Sequence, residues 1–273
     1  MTSTIAIIAG AGRFPFHVAK EAKRQGCSVL ALGLRGWADP ALATVADTYE
    51  EIAIGQLGRL IDCLKSHHTP QAIMAGKVTK EILFDERASF DAQTLEVLSQ
   101  VRDYSVTALL GAVANRLARE GVTLLDSSTF LKDHLCPDGV LTSRAPSPAE
   151  HEDIRIGLRT ARALAAMDVG QTVVVRHRVV IAVEALEGTD AAIRRAHALA
   201  GKELVVVKMA SPNHDRRFDL PVIGHDTIKI LVESGASCLA VEAGTTLLLE
   251  RPSLIAAANT AGVSLIGVVP TTP

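Results

Sequence analysis

The feature that most narrows the fold of this chain is the regular return of short aliphatic runs, at residues 5 to 9, 28 to 34, 71 to 75 and 122 to 125, with amphipathic stretches between them. A strand buried on both faces reads as a continuous apolar run, and strands separated by helix-length segments join through crossovers into a parallel sheet. The intervening segments have helical character: one runs up to Gly26, one spans 56 to 67, and one sets Val106, Leu109, Leu110, Val113 and Leu117 at helical spacing on one face. The expected class is α/β with a parallel first sheet.

At 273 residues the chain has length for two domains, each able to bury its own core. Hydrophobic residues make up 48% but aromatics only 3%, which favours aliphatic packing between helices and sheet over stacking platforms for bases. A net charge of -2 leaves no basic footprint for nucleic acid. No apolar run reaches the roughly 18 residues of a spanning helix and no signal peptide is seen, so a cytoplasmic place is expected. Cys27, Cys63, Cys136 and Cys238 lack C-x-x-C spacing and the nine histidines lack H-x-x-H or H-E-x-x-H spacing. Zinc is therefore disfavoured, and the cysteines are expected to be buried thiols.

Between residues 136 and 148 the periodicity gives way to Pro, Gly, Ser and Arg, the composition of a linker. The expected domains are 1–135 and 136–273. Ser147, Pro148 and Glu150 then fit the N-cap, N1 and N3 positions of a capping box. Residues 172 to 176 and 179 to 185 are β-branched runs around His177 and Arg178, a hairpin whose turn lacks glycine. Further strands are expected near 204 to 208, 238 to 241 and 264 to 268, giving a mixed α/β second half.

Candidate chemistry gathers at strand ends. Gly10, Ala11, Gly12 and Arg13 follow the first strand and open a helix, where backbone amides and the helix dipole can receive phosphate. Pro15 stands where a dinucleotide loop would need its third glycine, and no acid ends the second strand to hold a ribose. A nucleotide site favouring UDP over NAD(P), and a mere tight turn, are both open readings. Lys77 ends another strand of that sheet, beside the loop or simply on the surface, and Asp103 or Ser105 is a candidate helix cap. In the second half Glu184, Glu187, Thr189 and Asp190 lie between a strand end and a helix carrying Arg194 and Arg195. These suit metal and phosphate together, or a Thr189 cap with solvated charges. Lys208 to Asn213 leaves the next strand, and Glu242 ends a later one. If residues 217 to 220 are extended, Arg217 and Asp219 share a face, as a structural ion pair or as a carboxylate for metal-assisted hydrolysis.

Taken together, these segments resemble the LpxI family of UDP-2,3-diacylglucosamine pyrophosphatases over essentially the whole chain. The matching stretches are AGAGRFP at 9 to 15, MAGKV at 74 to 78, RAPSPAE at 144 to 150 and DVGQTVVV at 168 to 175. They continue with AVEALEGTDAAIRR at 182 to 195, VVKMASPNHDRRFDLPVIG at 206 to 224 and AVEAGTTLLLE at 240 to 250. The resemblance implies a modified Rossmann-like first domain that holds UDP, a second domain for the acylated sugar phosphate, and a ligand cleft between them. It implies hydrolysis to UMP and 2,3-diacylglucosamine 1-phosphate (lipid X), with the catalytic aspartate at Asp219. On this reading Mg²⁺ or Mn²⁺ is held by Asp219 and Asp190, and Glu187 is a further catalytic acid. Gly10, Ala11, Gly12, Arg13, Lys77, Thr189 and Asn213 contact substrate, while Lys208, Arg194 and Arg217 neutralise charge. The two acyl chains imply transient contact with the inner-membrane surface of a Gram-negative bacterium; a homodimer is compatible with it. An NAD(P)-dependent oxidoreductase and a non-catalytic carrier of UDP-sugars or lipid phosphates are the rival expectations.

Overall fold

The computed structural model describes residues 3–78, 90–101, 106–211, 215–218 and 220–269. Two compact units divide the chain: 1–132 together with 215–219, and 133–214 together with 220–273.

The first unit contains β1 (Thr4–Ala9), α1 (Phe14–Arg24), β2 (Ser28–Leu34), β3 (Thr48–Ile52), α2 (Leu57–Ser66), β4 (Gln71–Ala75), α3 (Ala92–Gln100), α4 (Val106–Arg119) and β5 (Thr123–Leu124). Its strands are all parallel, in the order β3-β2-β1-β4-β5. That is the order of the doubly wound nucleotide-binding sheet, whose direction of winding reverses between the first and fourth strands. The apolar runs behave as their composition demands: Ile5 to Ala9 and Val29 to Leu32 are buried, as are Leu57, Leu60, Ile61 and Leu64 on α2. Helix starts are economically satisfied. Asp91 accepts from Thr94 N at the head of α3 and from Gly58 N in the first turn of α2, so one carboxylate caps two helices.

The charged segment of β3, TYEEI, was not expected as a strand. It is an edge strand, paired only with β2, so its outward side chains need not be apolar.

The second unit contains β6 (Gly139–Val140), α5 (Pro148–Ala166), β7 (Thr172–Arg176), β8 (Val179–Val183), α6 (Thr189–Ala200), β9 (Leu204–Lys208), β10 (Val222–Ile223), α7 (His225–Glu233), β11 (Ala236–Glu242), β12 (Leu247–Leu248), α8 (Arg251–Thr260) and β13 (Ser264–Val268). A mixed sheet has the order β6-β13-β11-β9-β7-β8, and β10 pairs with β12 separately. The capping box forms as expected: Ser147 Oγ accepts from Glu150 N, and Glu150 accepts from Ser147 N. The β7–β8 hairpin turns through His177 and Arg178, both with positive φ, which normally calls for Gly or Asn. Here the buried Asp153 of α5 accepts from both turn amides, at 3.0 and 2.5 Å.

Two expectations are corrected. The stretch from 136 to 148 is not a free linker: β6 pairs with β13, and Arg144 binds Glu150, Ser237 O and Gly262 O within the second unit. Residues 215–218, expected in the second domain, group with the first unit.

Candidate functional site

At the carboxyl end of the first sheet, β1 and β4 release their loops on either side of the winding reversal, where ligands of such sheets bind. Among the described residues the two loops are laced by backbone hydrogen bonds. Gly10 N donates to Ala75 O, while Ala11 and Lys77 exchange N–H···O bonds of 2.9 Å in both directions. The approach is too close for side chains: a Cβ on Gly10 would lie 2.8 Å from Lys77 O, and one on Gly76 2.7 Å from the Gly10 carbonyl carbon. Gly12 and Gly76 also have φ of +94° and +99°. Beyond this lacing Gly12, Arg13 and Lys77 are exposed, with the Arg13 guanidinium 4.6 Å over the Phe16 ring. Pro15 begins α1 at a position where its missing N–H costs nothing.

A third strand end joins these loops. Ser127, just after β5, places its hydroxyl 2.8 Å from Met74 O and 2.7 Å from Arg217 O, and its amide donates to Arg216 O. Arg216 binds Asp126 at 2.6 Å, so 215–218 are fastened beside the end of β4. Burial raises the Asp126 pKa, but hydrogen bonds from Ser128 and Arg216 outweigh it and hold the carboxyl below its ordinary value. Residues 216 to 218 form a turn, not the extended segment expected, and Arg217 Nε binds Asp215 at 2.9 Å. Asp219 and Asn213 lie outside the described residues, as do Asp103 and Ser105.

The carboxyl end of β9 in the second unit carries a different arrangement. Because β7 runs antiparallel to β9, Thr172 lies opposite Lys208, and the exit of β8 brings Glu184 to the same place. Lys208 Nζ donates to Thr189 Oγ1 at 2.9 Å, and Thr189 in turn donates to Glu184 Oε1 at 2.8 Å. Thr189 is thus not the cap of α6, which is Gly188. Burial pushes the Glu184 pKa up, but the Lys208 ammonium and hydrogen bonds from Thr172, Thr189 and the Gln171 backbone bring it below the ordinary range. Glu242, at the end of β11, accepts from Ala210 N and Thr245 Oγ1.

Glu187 is exposed, and Arg195 binds one of its oxygens at 2.6 Å while Ala185 N approaches the other. Asp190 occupies the first turn of α6, and Arg194 is exposed further along it. Of the acids in the 184–190 motif, Glu187 and Asp190 were the ones expected to carry chemistry, while Thr172, Asp126 and Asp215 were not singled out. Glu184 was visible only as the first acid of its motif, since its wiring depends on strand register. Among the described residues neither Glu187 nor Asp190 belongs to a group of three ligating side chains within reach of one another. Among the described residues, no helix is long and apolar enough to cross a membrane.

Comparison with known proteins covers nearly the whole chain. Residues 4–134 match the family model for the LpxI N-terminal domain, and residues 137–266 match that for the LpxI C-terminal domain. A protein of Caulobacter vibrioides named UDP-2,3-diacylglucosamine pyrophosphatase LpxI is 31% identical over 280 residues, which span 97% of this chain and 98% of that one. Likeness to solved structures is slight. The biotin carboxylase domain of a thermophilic 2-oxoglutarate carboxylase is 11% identical with a TM-score of 0.29, over 64% of this chain and 35% of that one. N5-carboxyaminoimidazole synthetase from Staphylococcus aureus is 12% identical with a TM-score of 0.28, over 73% and 36%.

Proposed function

The chain belongs to the LpxI family, and from that premise we propose that it hydrolyses UDP-2,3-diacylglucosamine to UMP and 2,3-diacylglucosamine 1-phosphate. One P–O bond of the anhydride breaks, water supplies the new oxygen, and its proton is released. The observation that carries this reading is the 31% identity, over nearly the full length of both chains, to a pyrophosphatase of that name. The two glycine loops at the winding reversal support it, since their exposed rim offers amides and two cations to a diphosphate.

In this proposal Gly10, Ala11, Gly12, Arg13 and Lys77 take the nucleotide side of the diphosphate. Thr189, Arg194, Lys208 and Asn213 receive the sugar phosphate, and Arg217 offsets charge on the leaving group. A fixed cation or donor aimed at developing charge contributes about 3 kcal/mol in such sites. Asp219 aligns the attacking water, with Asp190 and Glu187 as supporting acids. Mg²⁺ or Mn²⁺, held by Asp219 and Asp190, would neutralise the diphosphate oxygens as a Lewis acid. The acyl chains bring the enzyme to a bilayer surface, which co-flotation with anionic vesicles at low salt would detect and absence of recruitment would refute.

The test is release of UMP from the diacylated substrate, with and without Mg²⁺, by wild type and by Asp219→Ala. The expected result is dependence on the ion and a loss of at least about a hundredfold, near 2.7 kcal/mol, with the melting curve unchanged. Full activity of the variant would remove Asp219 from the chemistry, and no turnover of the substrate by wild type would end the proposal.

A further inference from the structure

Away from both carboxyl ends, the first unit brings together Glu50 of β3, Cys63 of α2 and His67 at the end of that helix. Their ligand atoms all lie within 4.8 Å of one another, the one such group among the described residues. We infer that Glu50, Cys63 and His67 form a binding site for a thiophilic divalent metal of the zinc type, with a fourth position open to water.

The local structure explains the grouping. Cys63 and His67 are four residues apart and so share one face of the helical turn that ends α2. Glu50 lies in the middle of the edge strand β3, and its Oε1 is 2.7 Å from His67 Nε2. The helix returns antiparallel to the parallel strands that it connects, so its end lies towards their amino ends, opposite the glycine loops. This is why no H-x-x-H or C-x-x-C spacing announces the site: one ligand comes from a strand and two from a helix.

Donor chemistry selects the class of metal. Thiolate, imidazole and carboxylate are ligands of tetrahedral zinc, whereas Mg²⁺ takes oxygen and rejects sulfur. A tetrahedral shell with bonds of about 2.0–2.3 Å spaces its ligand atoms about 3.3–3.6 Å apart. The His67–Glu50 contact of 2.7 Å would open slightly, and the other ligand atoms, all within 4.8 Å, already lie near that spacing. Cys63 is 7% exposed, while His67 and Glu50 are 33% and 36% exposed, so the site has a buried floor and an open mouth. Thiolate and carboxylate together balance the two charges of the ion.

The experiment is a Co²⁺ titration of the metal-stripped full chain, followed by absorption. We expect one Co²⁺ per chain with a thiolate-to-cobalt charge-transfer band and intense tetrahedral d–d bands. Equimolar Zn²⁺ should displace it and excess Mg²⁺ should not. Cys63→Ser should abolish the charge-transfer band, and His67→Gln and Glu50→Gln should each weaken Co²⁺ binding by at least about tenfold while keeping the wild-type circular dichroism. Absence of the band in wild type at saturating Co²⁺ overturns the site. So does its persistence in Cys63→Ser, or unchanged affinity in both of the other variants.

Discussion

The carboxyl ends of the two sheets are built from different materials. In the first unit the loops after β1 and β4 hold each other through main-chain bonds, and glycine is required because nothing larger than hydrogen fits. At the end of β9 in the second unit, a lysine, two threonines and a half-buried glutamate are wired side chain to side chain. The first arrangement fixes a shape, with the charged Arg13 and Lys77 side chains outside the lacing. The second fixes charge, and depends on every partner being present. A surface made of backbone tolerates changes in ionisation and fails when a methyl group is added; one made of charges behaves in the opposite way.

At these two ends the largest effect should come from removing one partner of the wired set. Lys208→Met removes the cation that lowers the pKa of the half-buried Glu184 carboxylate and the donor to Thr189, and urea unfolding should show a loss of about 2–3 kcal/mol. The double variant Lys208→Met/Glu184→Gln should recover at least half of that loss, and no recovery would mean that the two groups are not coupled. Next comes acid. Burial raises the pKa of Glu150, but hydrogen bonds from Arg144, Ser237 and the Ser147 backbone bring it down from 4.5 to about 2. Because the folded value is depressed, its stabilisation is complete above about pH 4.5 and is lost as the pH falls towards 2. With this side chain only 11% exposed, the linkage amounts to about 3 kcal/mol, and Glu150→Gln should flatten that part of a stability-versus-pH curve.

Smaller effects are expected at the glycine loops, and they grade by space. Gly76→Ala combines the φ of +99° with a backbone collision and should cost about 2 kcal/mol. Gly12→Ala meets no atom within 4 Å and bears only the strain of positive φ, so about 1 kcal/mol is expected, both losses read by urea unfolding. Equal losses at the two positions would show that conformation, not close approach, is what glycine supplies here.

What could be read from the sequence follows the same division. The parallel strands β1, β2 and β4 announce themselves because strands covered on both faces are apolar throughout. The start of α5 was legible because a capping box is a local event within four residues. β3 escaped because an edge strand may carry Glu50 and Glu51, and apolar pattern is then the wrong signal. At the sites, the glycine loops stood out as motifs, whereas the Glu184–Thr189–Lys208 chain needed the register of three strands. The Arg217–Asp215 pair depends on a turn at 216 to 218, whose hydrogen bonds no residue spacing announces. Local rules read local features; contacts across 90 residues, such as Ser127 with Arg217, leave no mark that a spacing rule can find.

That long-range contact bears on how the molecule is made. The first sheet is fully translated by residue 124, yet Asp126 has no guanidinium to bind until Arg216 has been synthesised. A ribosome therefore releases all five strands well before the last piece of their own unit exists, and a gene cut after codon 132 would encode that unit with a gap in it.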